Sequence, residues 1–228
     1  YDLHYFGWIH VAMTRDWPWV AWRTAIVTQF LLLVGLGLVL RGTNQANDAA
    51  GERAFWRRWG QIAAAAALVS AGSWWVFRER LIWFGILHFV AVALVLGRPL
   101  VRLGGAANFL LGAAVLALGL SLHSPAFDDN AWSWIGFAAH KPPTEDFVPV
   151  FPWLGVVLAG IGAGSLWRRR GFALVPALDR VERTPPRPLL FLGRWPLTVY
   201  LLHQPLMLGA LGILRQLITQ LIRQLAGS

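Results

Sequence analysis

Two histidines and an arginine interrupt stretches of sequence otherwise suited to lipid. His88 sits in "RLIWFGILHFVAVALVLG" (80–97), His203 in "PLTVYLLHQPLML" (196–208) and Arg23 in "WPWVAWRTAIVTQFLLLVGLGLVL" (17–40). A near-neutral imidazole can give or take a proton in the physiological range. A guanidinium set into a span brings a fixed positive charge, and together the three residues suggest a polar cavity within the bundle. At 1.5 Å per residue, His88 lies about 12 Å from Arg80 at the outer end of its apolar run and His203 about 10 Å from Pro196 at the inner end of its own. Both then approach the middle of a hydrocarbon core roughly 30 Å thick. Ionisable groups at that depth face a bundle interior or a watery cavity and find partners there. The plainer alternative is a neutral histidine that only bonds one helix to its neighbour. Pro205 follows His203 by two residues and deprives the Leu201 carbonyl of its amide partner, so His203 or a water is expected to satisfy it.

A second group of candidates lies outside the spans. The stretch "HKPPTEDFVPVFPWLG" (140–155) joins Asp146 and Trp153 to several prolines and aromatics. It fits a stiff substrate vestibule, or an interfacial loop in which Trp153 is an anchor. The run Arg168–Arg170 reads first as a topology signal and second as an attractor for the phosphates of a nucleotide-bearing donor.

The elements that must position these residues are transmembrane helices. The 228 residues are 57% hydrophobic and 14% charged, with fourteen tryptophans. Soluble domains are about half apolar and about a quarter charged, so lipid is the solvent indicated. The pattern predicts an all-α, polytopic bundle with six spans, at 17–40, 59–76, 81–96, 100–122, 149–167 and 196–214. Residues 1–13 read as the outer end of a further helix, and 215–228 as an amphipathic tail that extends the last span. No long-period repeat is evident, and the chain reads as one domain, 1–228. The formal charge of +9 comes mostly from arginines at the ends of apolar runs, which orients helices and argues against nucleic acid. Segments 41–58, 97–102 and 168–188 hold most of them and are expected on the cytoplasmic side, in a cell inner (plasma) membrane. "AAAAALVSAG" (63–72) and "GVVLAGIGAG" (155–164) read as close-packing faces without chemistry. The absence of cysteine excludes disulfides, thiolate metal sites and a cysteine nucleophile.

Several segments, in order along the chain, carry a resemblance: "YDLHYFGW" (1–8), "WVAWRTAIVTQFLLLVGLGLVL" (19–40), "FGILHFVAVALVL" (84–96), "DFVPVFPWLGVVLAGIG" (146–162) and "LGRWPLTVYLLHQPLML" (192–208). Together they resemble the bacterial heparan-alpha-glucosaminide N-acetyltransferase catalytic-domain family, within a wider superfamily of transmembrane acyltransferases. The resemblance implies transfer of an acyl group, acetyl above all, from cytoplasmic acyl-CoA to an amine or hydroxyl of an extracytoplasmic sugar. Acyl-CoA is then a cosubstrate, and nothing in the sequence calls for a metal or a bound redox cofactor. The superfamily's first helix carries an Arg and, eleven residues on, a His. That pair falls before Tyr1, and the chain as given is expected to lack its first helix. Within the matched motifs His88, His203 and Arg23 are the catalytic candidates, and Asp2, His4, Asp146 and Trp153 the candidates for binding the acceptor. At Asp146 the sequence reads "DFVPVFPW", with Phe for the commoner Tyr.

Two other functions fit the same residues. One is a non-catalytic helical subunit or scaffold in a larger membrane complex. The other is a small transporter, although the paired broken helices and internal repeat often found in transporters are missing. Membrane lipids and a sugar or glycan acceptor are the partners expected, and the sequence is compatible with a homo-oligomer or with membership of a membrane complex.

Overall fold

A computed structural model of the chain describes residues 16–44, 49–76, 80–171 and 187–226. The protein is all-α: among the described residues the only pairing of β type is an isolated bridge between Ser124 and Ala138. The principal helices are α1 (Trp17–Asn44), α2 (Ala49–Val76), α3 (Ile86–Leu100), α4 (Gly105–Ser121), the short α5 (Asn130–Ser133), α6 (Val150–Arg169), α7 (Arg187–Arg194) and α8 (Pro196–Ala226).

Three helical stretches, Trp17–Gly42, Ile86–Leu103 and Val150–Arg169, are long and apolar enough to cross a membrane, and α4 is a shorter apolar helix. Side chains such as Leu68, Trp74, Trp75, Leu110 and Leu120 stand largely exposed. So much apolar surface would drive aggregation in water, whereas in a bilayer it simply meets acyl chains. The chain is a multi-pass membrane protein.

Contacts divide the chain into two compact units, one of residues 1–24 and 174–228, the other Ala25–Ala173. In the larger unit α6 is the central helix. Val157, Leu158 and Ile161 are fully buried and pack with Leu31, Val39, Phe89 and Ala93. Lipid supplies no apolar driving force between helices, so their backbones must come close enough for dispersion and small residues to hold them. The small residues of α6 allow that approach. A Cβ on Gly155 would lie 2.6 Å from the Gly112 carbonyl oxygen of α4, and one on Gly160 would lie 2.3 Å from the Leu32 carbonyl oxygen of α1. The stretch 155–164 is therefore a packing face on two sides.

One expectation shifts. The expected span 81–96 begins later, at Ile86, because residues 81–85 turn ahead of the helix. The tail extends the last span, as its pattern suggests: α8 runs without a break from Pro196 to Ala226. Residues 1–13 lie outside the described residues.

Candidate functional site

The start of α3 gathers the polar groups. Ile86 is its first helical residue, and its N–H donates to Asp146 Oδ2 at 2.7 Å. A carboxylate at this end meets both an unpaired amide and the positive pole of the helix. A hydrogen bond to a charged group is worth about 1.5–3 kcal/mol, so Asp146 fixes the loop 141–149 to α3. Gly85 makes the approach possible. A Cβ there would stand 2.3 Å from Asp146 Oδ2, so any other residue would displace the carboxylate.

His88 is the third residue of α3, about 3 Å along the axis from Ile86. It belongs to the first turn and not to the middle of the span. Its depth was misjudged because apolar character runs unbroken from Leu81, while the helix does not. Gly85 N–H points at His88 Nδ1 at 3.3 Å, and His88 Nε2 lies 3.1 Å from Ser70 Oγ on α2. Ser70 donates its only hydroxyl hydrogen to the Ile82 carbonyl at 2.7 Å. It must therefore accept from His88, which makes the ring the neutral tautomer with hydrogen on Nε2. Ser73 Oγ in turn accepts from Ile82 N–H at 3.0 Å. Two serines of α2 thus hold the turn at 82 from both sides. The stretch 63–72, expected to be packing surface alone, carries one of them; "LVSAGS" ahead of two tryptophans was the available signal.

Beside this network lies a small cavity of about 190 Å³, lined by Leu81, Trp83, Phe84, Asn130, Ser133, Pro142, Pro143, Thr144 and Phe147. Phe84 separates it from His88, with ring centroids 5.8 Å apart, and also packs on Trp134 at 5.6 Å. Aromatic faces beside hydroxyl and amide groups suit a ligand with one apolar face and several hydroxyls. The covering loop is fastened by His140, whose Nδ1 lies 2.8 Å from Asp128 Oδ2 while its N–H donates to Oδ1 at 3.0 Å. These bonds hold the Asp128 carboxyl below the usual aspartate range. Trp153 is partly buried against the core in the first turn of α6.

The other end of α3 has the opposite chemistry. Arg98 is about 18 Å along the helix from Ile86. There a cavity of about 380 Å³ is lined by Arg41, Arg98, Arg102 and Arg168, with Leu38, Gly42, Gly51, Phe55 and Val101. Arg98 is held by both oxygens of Glu52, with Nη1–Oε1 at 2.9 Å, and its guanidinium lies 4.2 Å above the Phe55 ring. Along the sequence these arginines mark topology, with Arg168 also a candidate attractor of phosphates; three helices and a 3-10 turn bring them to one cavity.

The remaining candidates fall elsewhere. Arg23 is exposed on α1, and His203 is exposed on α8 with its Nδ1 donating to the Tyr200 carbonyl. That is the carbonyl before the one that Pro205 was expected to orphan. Both residues belong to the smaller compact unit. Asp2 and His4 lie outside the described residues. Among the described residues no group of three metal-ligating side chains comes together.

A family model described as heparan-alpha-glucosaminide N-acetyltransferase, catalytic, matches residues 1–205. The chain belongs to this family. Both ends of α3, the loop 123–148 and all of α6 lie within the part that matches the N-acetyltransferase catalytic model, and only the last part of α8 extends beyond it. No match among curated proteins or solved structures reaches significance.

Proposed function

We propose that the chain is the membrane core of an acyl-CoA-dependent acyltransferase, a single domain over 1–228, that moves an acetyl group to an amine or hydroxyl of an extracytoplasmic sugar. The observation that carries this reading is the polarity of α3 in a chain of this family. Its Arg98 end opens on a cationic cavity suited to a phosphate-bearing donor, and its Ile86 end adjoins a cavity with aromatic and hydroxyl groups suited to a sugar. The arginine-rich end is cytoplasmic by the positive-inside rule, in an inner membrane crossed six times by this chain.

Acyl transfer itself is simple to balance. The acceptor nitrogen or oxygen attacks the thioester carbonyl carbon, the C–S bond breaks, the thiol leaves on CoA, and the acceptor's proton goes to a base. His88 is the proposed base nearest the sugar cavity. Its Nδ1 lone pair is engaged by Gly85 N–H, and at 3.3 Å that contact is long enough to give way when the acceptor arrives. Arg23 and His203 remain catalytic candidates, and Asp2, His4, Asp146 and Trp153 acceptor-side ones. Asp146 acts through the start of α3, which it caps.

The engagement of both ring nitrogens of His88 favours a second reading, a scaffold in which this histidine only joins α2 to α3. Turnover separates the two. The intact protein in proteoliposomes, given labelled acetyl-CoA and glucosamine, should form N-acetylglucosamine, and Arg102→Ala should raise the KM for acetyl-CoA. No product from folded protein with either an amino sugar or an alcohol acceptor would leave the scaffold reading.

A further inference from the structure

Glu52 lies in the first turn of α2, beside the arginine-lined cavity. Its two oxygens grip Arg98, and Trp56 Nε1 donates to its Oε1 at 2.6 Å. Trp56 stands edge-on to Trp59, whose own indole N–H donates to the Ala91 carbonyl of α3 at 3.0 Å. The carboxylate is thus held in place on a fixed scaffold. Among the described residues no ion pair engages Arg41, Arg102 or Arg168, so of the four arginines lining the cavity only Arg98 is held by a carboxylate.

Resting on the donor reading above, we infer that Glu52 is a built-in competitor for the donor's phosphate groups, occupying Arg98 until a multivalent phosphate displaces it. A carboxylate and a phosphate ask the same thing of a guanidinium: two parallel N–H···O bonds. The Glu52–Arg98 pair is open to solvent on both sides, and water and salt keep such a pair weak. It is strong enough to close the site to monovalent anions and weak enough to yield to a ligand that engages several arginines together. Glu52 therefore sets a threshold of charge and raises selectivity for the polyphosphate donor at some cost in affinity.

The test is CoA binding to the intact protein in phosphatidylcholine nanodiscs, followed by calorimetry. Glu52→Gln should tighten CoA binding by about five- to tenfold at low salt, with the gain shrinking as salt rises. Trp56→Phe, which removes the indole donor without changing charge, should tighten it by a smaller factor. Arg102→Ala and Arg168→Ala should weaken it. If those arginine variants weaken binding while Glu52→Gln and Trp56→Phe leave it unchanged or weaker, the competitor role is overturned and the donor cavity stands. If neither wild type nor Glu52→Gln binds CoA, the donor reading fails and the inference with it. If adding phosphatidylglycerol to the nanodiscs abolishes the Glu52→Gln gain, the competing anion is a lipid headgroup and Glu52 does not act against the donor.

Discussion

Gly85, Asp146 and His88 form one device, and its parts can be separated by substitution. Asp146→Ala leaves the Ile86 N–H without its acceptor and should cost about 1–3 kcal/mol. Gly85→Ala should cost about the same, because its methyl would expel the Asp146 carboxylate. The two costs should not add. Unfolding in mild detergent should show Gly85→Ala costing clearly less in the Asp146→Ala background, where only the Ile82 methyl still crowds the added Cβ, and full additivity would contradict the shared mechanism. Ser70→Ala tests the histidine. It removes the acceptor of His88 Nε2–H, so turnover should fall with KM for the sugar little changed, and the acid limb of the pH profile should move. An unmoved profile would leave His88 outside the chemistry. His88 was legible as a special residue from its setting alone, since an imidazole in an apolar run must have a partner. Ser70 was not, because a serine among alanines reads as a small packing residue until the turn at 82 folds over it.

Whole elements were easier to read where apolar length decides and harder where a turn is itself apolar. The span 149–167 was legible, and α6 covers it, because twenty residues with glycines spaced for packing have no other way to satisfy their backbone in lipid. The start of α3 was not, because "LIWFG" is as apolar as the helix that follows, and its backbone is satisfied by Ser70 and Ser73 of α2. Gly160→Ala tests the packing face. Its Cβ would overlap the α1 backbone at Leu32, which cannot yield as a side-chain end could, so thermal stability in detergent should fall markedly. The same substitution at Gly72, where a Cβ meets nothing, should be neutral. The loop beside the aromatic cavity has its own pH dependence. Asp128 is held below its usual range chiefly by the His140 side chain, so the fastening is present above the ordinary aspartate value and is lost as pH falls through the depressed one. Amide-exchange protection factors at residues 124–140 should therefore fall towards strongly acid pH, and Asp128→Asn should lower them at neutral pH. Equal exchange in the variant would show that the pair fastens nothing. At the far end, the hydrogen bonds from Arg98 and Trp56 hold the Glu52 carboxyl down to about 2, so its grip on Arg98 should persist across the whole physiological range.

Across the whole molecule the proposed function divides the chemistry between two sides of a membrane. The arginine cavity and the aromatic cavity lie at opposite ends of one helix, and the family is that of a sugar-modifying acetyltransferase catalytic domain. The sign of each end was legible from where the arginines fall, since charged residues at helix ends follow the positive-inside rule. Their convergence on one cavity was not, because it depends on how α1, α2, α3 and α6 pack. The most direct test is oriented transfer. The intact protein, reconstituted in sealed vesicles with its orientation fixed by labelling single cysteines placed at 168–171 and at 139–141, is given labelled acetyl-CoA on the side of 168–171 only, with glucosamine sealed on the other. We expect N-acetylglucosamine to accumulate on the glucosamine side, with the rate reduced at least tenfold in His88→Ala. Product formed only when donor and sugar share one side, or formed at the native rate by His88→Ala, would contradict the account.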